Sequence, residues 1–196
     1  TFLNETIKFI HQGFKGQEGR WPSYVNDNLI KRLFGFELMM APYTIAHMKL
    51  GMTLKETGVQ ELTDRLGIYL TNTLEEGIPQ QPDLFNFGLS AAVSEESRLA
   101  AQVKSEHPVM VVMGNPPYSG ESSNKTPFAQ SLVDKYKFEP GGLVKLQERN
   151  PKWINDDYVK FLAFAENMIL RNQEGILAMI TNHAYLDNPT FRGLRW

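Results

Sequence analysis

The chain has 196 residues, a formal net charge of −2 and no cysteine, and 42% of its residues are hydrophobic. This composition is typical of a globular protein, and it excludes a disordered tail, a collagen-like repeat and a strongly basic arm that wraps nucleic acid. The lack of cysteine excludes disulfides, thiolate catalysis and zinc sites built on sulfur. No apolar run approaches the roughly 20 residues that a membrane-spanning helix needs, so no membrane span is expected.

The spacing of apolar residues predicts helices that alternate with short strands. In chain order the predicted elements are a helix at 2–11, a helix at 23–33, a strand at 34–38, a helix at 42–50, a strand at 67–71, a helix at 90–104, a strand at 109–113, a helix at 157–171 and a strand at 175–180. Ser23 is expected to cap the second helix, and Asp156 with Asp157 to cap the last one. A proline-rich loop with Pro79 and Pro82 connects the second strand to the helix at 90–104.

Two of the predicted strands are uninterrupted apolar runs, Val109–Met113 and Ile176–Ile180. Such runs are typical of strands that are buried on both faces of a parallel sheet. Strands of this kind alternating with helices predict an α/β fold with a mostly parallel, doubly wound sheet. Ligands of these sheets bind at the carboxyl ends of the strands. The polar residues that follow the strands are Glu37, Asn72, Asn115, Asn182 and His183.

The most specific pattern is Asn115-Pro116-Pro117-Tyr118, which follows the predicted strand 109–113. A rigid turn explains why the chain turns here, but not why these residue types occur in this order. One reaction for which these residue types are suited is the methylation of an amino group that is conjugated to a ring. This reaction requires that the nitrogen lone pair be withdrawn from the ring system. The Asn115 side-chain carbonyl and the Pro116 backbone carbonyl are two acceptors for the amino hydrogens, and the fixed proline φ angles hold the second in place. Tyr118 offers a flat face on which an extruded base can stack.

Asn-Pro-Pro-Tyr after a parallel strand resembles the catalytic motif of the S-adenosylmethionine-dependent amino-methyltransferases, especially the DNA adenine-N6 methyltransferases of the gamma arrangement. The resemblance implies a Rossmann-like S-adenosylmethionine-dependent methyltransferase fold. It implies transfer of a methyl group to the N6 amine of an adenine that has been flipped out of duplex DNA. It also implies that the catalytic residues are Asn115, Pro116, Pro117 and Tyr118.

Two further segments resemble the cofactor motifs of the same family. The stretch 34–43 resembles the second motif, whose acidic residue, here Glu37, holds the ribose hydroxyls of the cofactor. The stretch 70–75 resembles the third motif, which commonly has an acidic residue for the cofactor adenine amine. Here Asn72 stands at that place, and its amide oxygen can accept the same hydrogen bond. The resemblance assigns cofactor binding to Glu37, Leu38, Asn72, Thr73 and Asn115.

The amino-acid sequences of residues 35–38 and 70–76 are most similar to the methyltransferase regions of single-polypeptide restriction–modification enzymes, of the type ISP and type IIG kinds. We therefore expect residues 1–196 to be an incomplete fragment of a methyltransferase catalytic domain, with the glycine-rich cofactor loop upstream and a target-recognition domain downstream. Nuclease and helicase-like regions would belong to the same polypeptide. The expected partners are S-adenosylmethionine and duplex DNA, and the expected location is a bacterial cytoplasm, at the nucleoid through DNA.

Two other functions also fit the sequence. A protein glutamine N5-methyltransferase uses Asn-Pro-Pro-Tyr on a similar conjugated amide; the long insertion after Tyr118 and the segment 191–195 favour DNA instead. A non-catalytic module with the S-adenosylmethionine-binding fold could serve as a scaffold or specificity element, and the intact 115–118 motif disfavours it.

Two weaker signals concern charge and metal binding. The segment 124–152 is mildly basic and is a candidate to lie over DNA. The four histidines are scattered without a ligand-like spacing to a carboxylate, so no metal site is expected. His183 and Tyr185 follow the last strand and could line the site.

Overall fold

A computed structural model describes residues 1–76, 89–118, 120, 122–147 and 151–196. These residues form two compact units. Residues 1–73 and 89–107 form the first unit, and residues 74–76 with the described part of 108–196 form the second. None of the helices in these ranges combines the length and apolar character needed to cross a bilayer.

The first unit contains four α-helices and two strands among its described residues. These are α1 (Phe2–Gln12), α2 (Trp21–Tyr24), β1 (Phe34–Glu37), α3 (Met40–Glu56), β2 (Gly67–Leu70) and α4 (Leu89–Glu106). A 3₁₀ turn at Glu18–Arg20 precedes α2, and a π-helical turn at Val25–Leu29 follows it.

The second unit contains two strands and short helical segments around one long helix. Its elements are β3 (Val111–Gly114), α5 (Pro127–Ser131), α6 (Asp157–Asn172), β4 (Ile176–Met179), α7 (Ala184–Asp187) and α8 (Arg192–Arg195). The 3₁₀ turns are Asp134–Lys137, Pro151–Asn155 and Pro189–Phe191. The long insertion after Tyr118 therefore contains helical segments of its own among its described residues.

The core of the first unit forms where α1 and α3 pack beside the β1–β2 pair. The apolar residues spaced along α1 turn inward, and Ile7 is fully buried. A hydrogen bond of 2.6 Å from the Thr53 hydroxyl to the Asn4 side-chain oxygen joins the two helices inside this core. Trp21 is also fully buried, and its indole nitrogen donates to the Thr57 hydroxyl oxygen at 3.0 Å. The Thr53 hydroxyl and the Trp21 indole nitrogen thus each have a hydrogen-bond partner, which lowers the cost of burying them.

The helix predicted at 23–33 is confirmed, but the prediction is wrong about the residue at which the helix starts and about the number of residues in each turn. The helix begins at Trp21, so Ser23 is not its N-cap; Pro22 lies in the first turn, where its missing amide costs nothing. From Val25 the chain widens into a π-helical turn, which the Ile30 amide closes by donating to the Val25 carbonyl at 3.1 Å. The wider turn buries Val25, Leu29 and Ile30 together.

The helix predicted at 42–50 is confirmed but extends over 17 residues, Met40–Glu56. Pro42 lies in its first turn, as expected. The helix continues through Gly51 and ends before Gly58, whose φ of +97° suits glycine. The strands predicted at 34–38 and 67–71 are also confirmed, whereas the proline-rich loop with Pro79 and Pro82 lies outside the described residues.

Parallel pairing of the strands is confirmed in both units. Phe34 lies opposite Gly67 in the β1–β2 pair, and Val111 lies opposite Ile176 in the β3–β4 pair. The described strands form these two two-stranded sheets and not one continuous sheet, since β1 and β3 each have a single strand partner. The architecture is α/β with short parallel strands.

The prediction that the strands at 109–113 and 175–180 are buried on both faces is wrong. Val111 is 47% exposed and Ile176 is 62% exposed. Side chains alternate between the faces of a strand, so Val111, Met113 and Ile176 share one face. The helix α6 packs against both strands, where Val112 and Gly114 are partly buried, and leaves the Val111 face open.

Candidate functional site

Glu37 and Asn72 lie at the same edge of the β1–β2 sheet, at the carboxyl ends of the two strands. The backbone carbonyl of Glu37 accepts the Thr71 amide at 2.8 Å, which holds the residue before Asn72 beside Glu37. The Glu37 side chain is half-buried, and its Oε1 accepts the Met39 amide at 3.1 Å. Its second oxygen bonds to no described residue. Leu38 is 68% exposed, and Thr73 is half-buried.

Lys104, near the end of α4, is a residue of this edge that sequence reasoning missed. Its side chain is only 7% exposed, and its Nζ donates to the Asn72 carbonyl oxygen at 2.7 Å. The same nitrogen lies 5.4 Å from the centre of the Phe36 ring, a cation–π distance. Burying a cation requires such compensation. Lys104 therefore fixes the backbone at Asn72, and its place in an ordinary helical pattern gave no signal of this.

The resemblance assigns ribose hydroxyls to Glu37 and an adenine amine to Asn72, and both of these groups require hydrogen-bond acceptors. Carboxylate oxygens and side-chain amide oxygens are such acceptors. The cavity inside the first unit is not a competing site, because it measures about 10 Å³ and is lined by apolar residues such as Leu3, Ile7 and Leu54. That volume holds about one water molecule.

The predicted catalytic motif lies at the carboxyl end of β3, in the second unit. Asn115 directly follows the strand and is exposed, whereas Pro116 is buried and Pro117 is exposed. Tyr118 is 45% exposed, and its hydroxyl oxygen lies 2.7 Å from the Asn115 side-chain oxygen Oδ1. The Tyr118 hydroxyl also bonds to the backbone carbonyl of Ile180, directly after β4. The first and last residues of the motif are thus joined to each other and to the neighbouring strand.

An aromatic cluster packs behind the Tyr118 ring. The Tyr158 ring lies 6.1 Å from it at an interplanar angle of 60°, a T-shaped contact. Tyr185 and Phe191 also contact Tyr158, at 6.5 Å and 6.2 Å. Burial raises the pKa of the Tyr158 hydroxyl, which has no hydrogen-bond partner among the described residues. His183, the other residue predicted near the site, is exposed.

Asp156 precedes α6 at the N-cap position, as predicted, but its side chain does not cap the helix. Its Oδ2 instead accepts the backbone amide of Gly120 at 3.0 Å. Asp156 is 5% exposed, and its Oδ1 has no partner among the described residues. The predicted capping role is therefore wrong, because this carboxylate accepts the amide of Gly120 and not an amide of the helix.

A buried lysine gives the loop after Tyr118 a second attachment to α6. Lys160 is 2% exposed, and its Nζ donates to the Ser122 hydroxyl oxygen at 2.6 Å and to the Asn124 carbonyl at 2.5 Å. The Ser122 hydroxyl also bonds to the Asp157 carboxylate. Burial lowers the pKa of Lys160, and the Asp157 charge opposes that shift. The loop after the motif is therefore held by ionic hydrogen bonds to the first turn of one helix.

The basic segment at 124–152 presents less free positive charge than its sequence predicts. Lys135 pairs with Glu166 at 2.8 Å, and Lys137 pairs with Asp134 at 2.9 Å. Arg149, also counted in that segment, lies outside the described residues. Within the described ranges, no group of three or more His, Asp or Glu side chains could hold a metal ion.

The sequence matches no protein-family model. It also matches no curated protein. Solved structures that share its fold include the following three. A nuclease-deletion mutant of the Type ISP restriction-modification enzyme LlaGI, in complex with a DNA substrate mimic, aligns with a TM-score of 0.74 and 24% identity over 100% of this chain and 16% of that chain.

The ATP-dependent Type ISP restriction-modification enzyme LlaBIII, bound to DNA, aligns with a TM-score of 0.73 and 22% identity over 99% of this chain and 13% of that chain. The cryoEM structure of a DrdV–DNA complex aligns with a TM-score of 0.65 and 23% identity, over 99% of this chain and 17% of that chain. The chain thus spans less than a fifth of the length of each neighbour. It has the fold of one segment of these DNA-bound proteins.

Proposed function

We propose that this chain is the methyltransferase segment of a restriction–modification enzyme and methylates the N6 amine of adenine in DNA. The observation that carries the proposal is the Asn115–Tyr118 motif at the carboxyl end of a parallel strand, with Asn115 and Tyr118 exposed. The fold shared with LlaGI and LlaBIII supports the restriction–modification context. DNA as the substrate is part of the proposal.

In this proposal the motif orients the adenine amine for attack. The Asn115 side-chain oxygen and the Pro116 carbonyl accept the two amino hydrogens, which favours a nitrogen with an available lone pair. The exposed face of Tyr118 stacks on the flipped base, an interaction worth about 1–3 kcal/mol. The proton that N6 loses goes to solvent, and this step uses no strong base, since neither His nor a carboxylate belongs to the motif.

Glu37 and Asn72 hold the cofactor, with Lys104 fixing the backbone at Asn72. Bound S-adenosylmethionine supplies an electrophilic methyl group, so that a nitrogen–carbon bond forms as the sulfur–carbon bond breaks. Target recognition, nucleotide hydrolysis and DNA cleavage belong to other regions of the proposed longer polypeptide.

The test is transfer of labelled methyl groups by the natural full-length protein and its Asn115→Ala variant. Duplex DNA and a release-factor-like protein serve as alternative acceptors. We expect label in DNA with the wild type, and a loss of at least about a hundredfold with Asn115→Ala while cofactor binding persists. Label in the protein acceptor would favour the glutamine methyltransferase. Cofactor-free protein without transfer would favour the non-catalytic module, and near-normal DNA labelling by Asn115→Ala would reject the role of Asn115.

A further inference from the structure

We propose that the Tyr118 hydroxyl is a positioning group that sets the orientation of the Asn115 side-chain amide. The inference rests on the proposed function, because it concerns the group that receives the adenine amine. It adds to base stacking, which needs only the ring of Tyr118. The geometry behind it lies wholly within the second unit.

The Tyr118 hydroxyl lies between two acceptor oxygens. Its Oη is 2.7 Å from Asn115 Oδ1, and it also bonds to the backbone carbonyl of Ile180. A tyrosine hydroxyl carries one hydrogen, so it donates to one of these oxygens at a time. The Ile180 carbonyl has no hydrogen and can only accept. The remaining contact needs a hydrogen from the Asn115 side.

The Asn115 amide can supply that hydrogen by turning over. Its oxygen and nitrogen ends are nearly equal in size, so a half-turn about the last side-chain bond needs no repacking. After the turn, Nδ2 donates to Tyr118 Oη while Tyr118 donates to Ile180. Both contacts of the hydroxyl then contain one hydrogen each. The Asn115 oxygen points away from Tyr118 and keeps both lone pairs for another donor.

The opposite arrangement does not suit an amine substrate. If Tyr118 donates to the Asn115 oxygen, that oxygen gives up a lone pair, and the NH₂ end of the amide is turned outward. The Asn115 NH₂ group would then face the adenine amine. It is a hydrogen-bond donor, so it cannot accept the amino hydrogens and cannot polarise the amine nitrogen as proposed. The Ile180 carbonyl holds the hydroxyl proton and so selects the amide orientation that accepts.

Contacts on the protein side restrict the movement of the Tyr118 ring, which carries this hydroxyl. Tyr158, which is 2% exposed, packs edge-on against Tyr118, and Asp156 binds the Gly120 amide two residues further along the chain. The hydroxyl therefore stays within reach of both oxygens without an added entropic cost in the bound state.

The experiment is a Tyr118→Phe substitution in the natural full-length protein. Phenylalanine keeps the stacking ring and its contact with Tyr158 but removes the hydroxyl. We expect kcat for methyl transfer to DNA to fall about tenfold or more, since the amide loses its preferred orientation. The KM for DNA, the thermal midpoint and the fluorescence of 2-aminopurine at the target position, which reports base extrusion, should stay within about twofold or a few degrees of wild type.

Tyr24→Phe is the matched control, because it also removes one phenol hydroxyl, from the aromatic cluster with Phe14 and Trp21 in the first unit. Its kcat should equal that of the wild type. If the wild type methylates DNA and Tyr118→Phe keeps its kcat, the inference is overturned and the proposed function stands. A loss of the 2-aminopurine signal in Tyr118→Phe also overturns it, because the hydroxyl then acts in base extrusion. A wild type that transfers no methyl group to DNA overturns both.

Discussion

The carboxylate of Glu96 binds the guanidinium of Arg65 at two points, with Nη1 2.8 Å from Oε1 and Nη2 3.1 Å from Oε2. The pair also bonds to the backbone of β2: Glu96 accepts the Leu70 amide at 3.2 Å, and Arg65 donates to the Ile68 carbonyl at 2.8 Å. These backbone groups point away from β1, because the Thr71 amide in the alternate position bonds to Glu37. The ion pair thus occupies the free edge of β2, which would otherwise be open to another strand.

Glu96→Ala should lower the free energy of unfolding by about 2 kcal/mol, because the Leu70 amide loses its acceptor and the Arg65 guanidinium keeps only backbone acceptors. The hydrogen bond to Glu96 is also the main reason that the pKa of Arg65 is raised. Urea denaturation measures the effect. Glu95→Ala is the control, since Glu95 pairs with Arg98 at the surface and its loss should leave the midpoint unchanged. Equal effects of the two variants would show that the edge contacts contribute nothing.

Gly193→Ala should destabilise the second unit by about 1–3 kcal/mol. A Cβ at this position would lie 2.1 Å from the Tyr136 carbonyl oxygen, which is backbone and cannot move aside alone. The α8 helix would have to separate from the 3₁₀ turn at 134–137. Thermal unfolding of the wild type and the variant measures the loss.

Gly51→Ala is the matched control for that variant. Gly51 lies in α3, and a Cβ there would meet no atom within 4 Å. Alanine should therefore stabilise the protein by about 0.5–1 kcal/mol through its higher helix propensity. A Gly193→Ala variant as stable as Gly51→Ala would contradict the close approach of α8 to the turn.

Glu37→Ala should weaken S-adenosylmethionine binding about tenfold or more, because it removes an ionic acceptor for the ribose hydroxyls. The thermal midpoint should change little, since the carboxylate bonds only to the Met39 amide among the described residues. Isothermal titration calorimetry of the full-length protein gives the Kd. Glu56→Ala, an exposed carboxylate at the end of α3, should bind the cofactor as the wild type does. An unchanged Kd for Glu37→Ala would remove Glu37 from the cofactor site.

Tyr136 should make the protein sensitive to alkaline pH. Burial, and then the hydrogen bond to Glu166, raises the pKa of this phenol above its ordinary value. The neutral phenol therefore contributes its full stability below pH of about 10, and this contribution is lost as the pH rises further. Urea midpoints measured across that range should fall more steeply for the wild type than for Tyr136→Phe. If the urea midpoints of the wild type and of Tyr136→Phe change in parallel with pH, Tyr136 has the same pKa in the folded and the unfolded protein.

Most elements of the fold follow from local patterns in the sequence. The α1 helix and the strands β1 and β2 were predicted because apolar spacing and β-branched residues act over a few neighbours. The π-helical turn at 25–29 was not predicted, because it depends on burying three apolar residues at once. The exposed face of β3 was not predicted either. The apolar run Val109–Met113 allows the strand to be buried on both faces, but it does not show which elements pack on each face.

The candidate site also contains some residues whose positions the sequence predicts and others whose contacts it does not. The positions of Glu37, Asn72 and Asn115 at strand ends follow from the alternation of strands and helices. The supporting residues do not, since Lys104 and Asp156 act through contacts with residues 32 and 36 positions away in the chain. A lysine in the last turn of a helix and an aspartate before one have common local explanations, and only the fold shows which contacts they make.

Asp156 links the start of α6 to the stretch after the motif through two different groups. Its backbone carbonyl accepts the Val159 amide at 3.1 Å and the Lys160 amide at 3.2 Å, within the first turn of the helix. Its carboxylate accepts the Gly120 amide at 3.0 Å. The side chain can therefore be replaced without loss of the helix's own hydrogen bonds, so that a variant at this position separates the anchoring of Gly120 from the folding of α6.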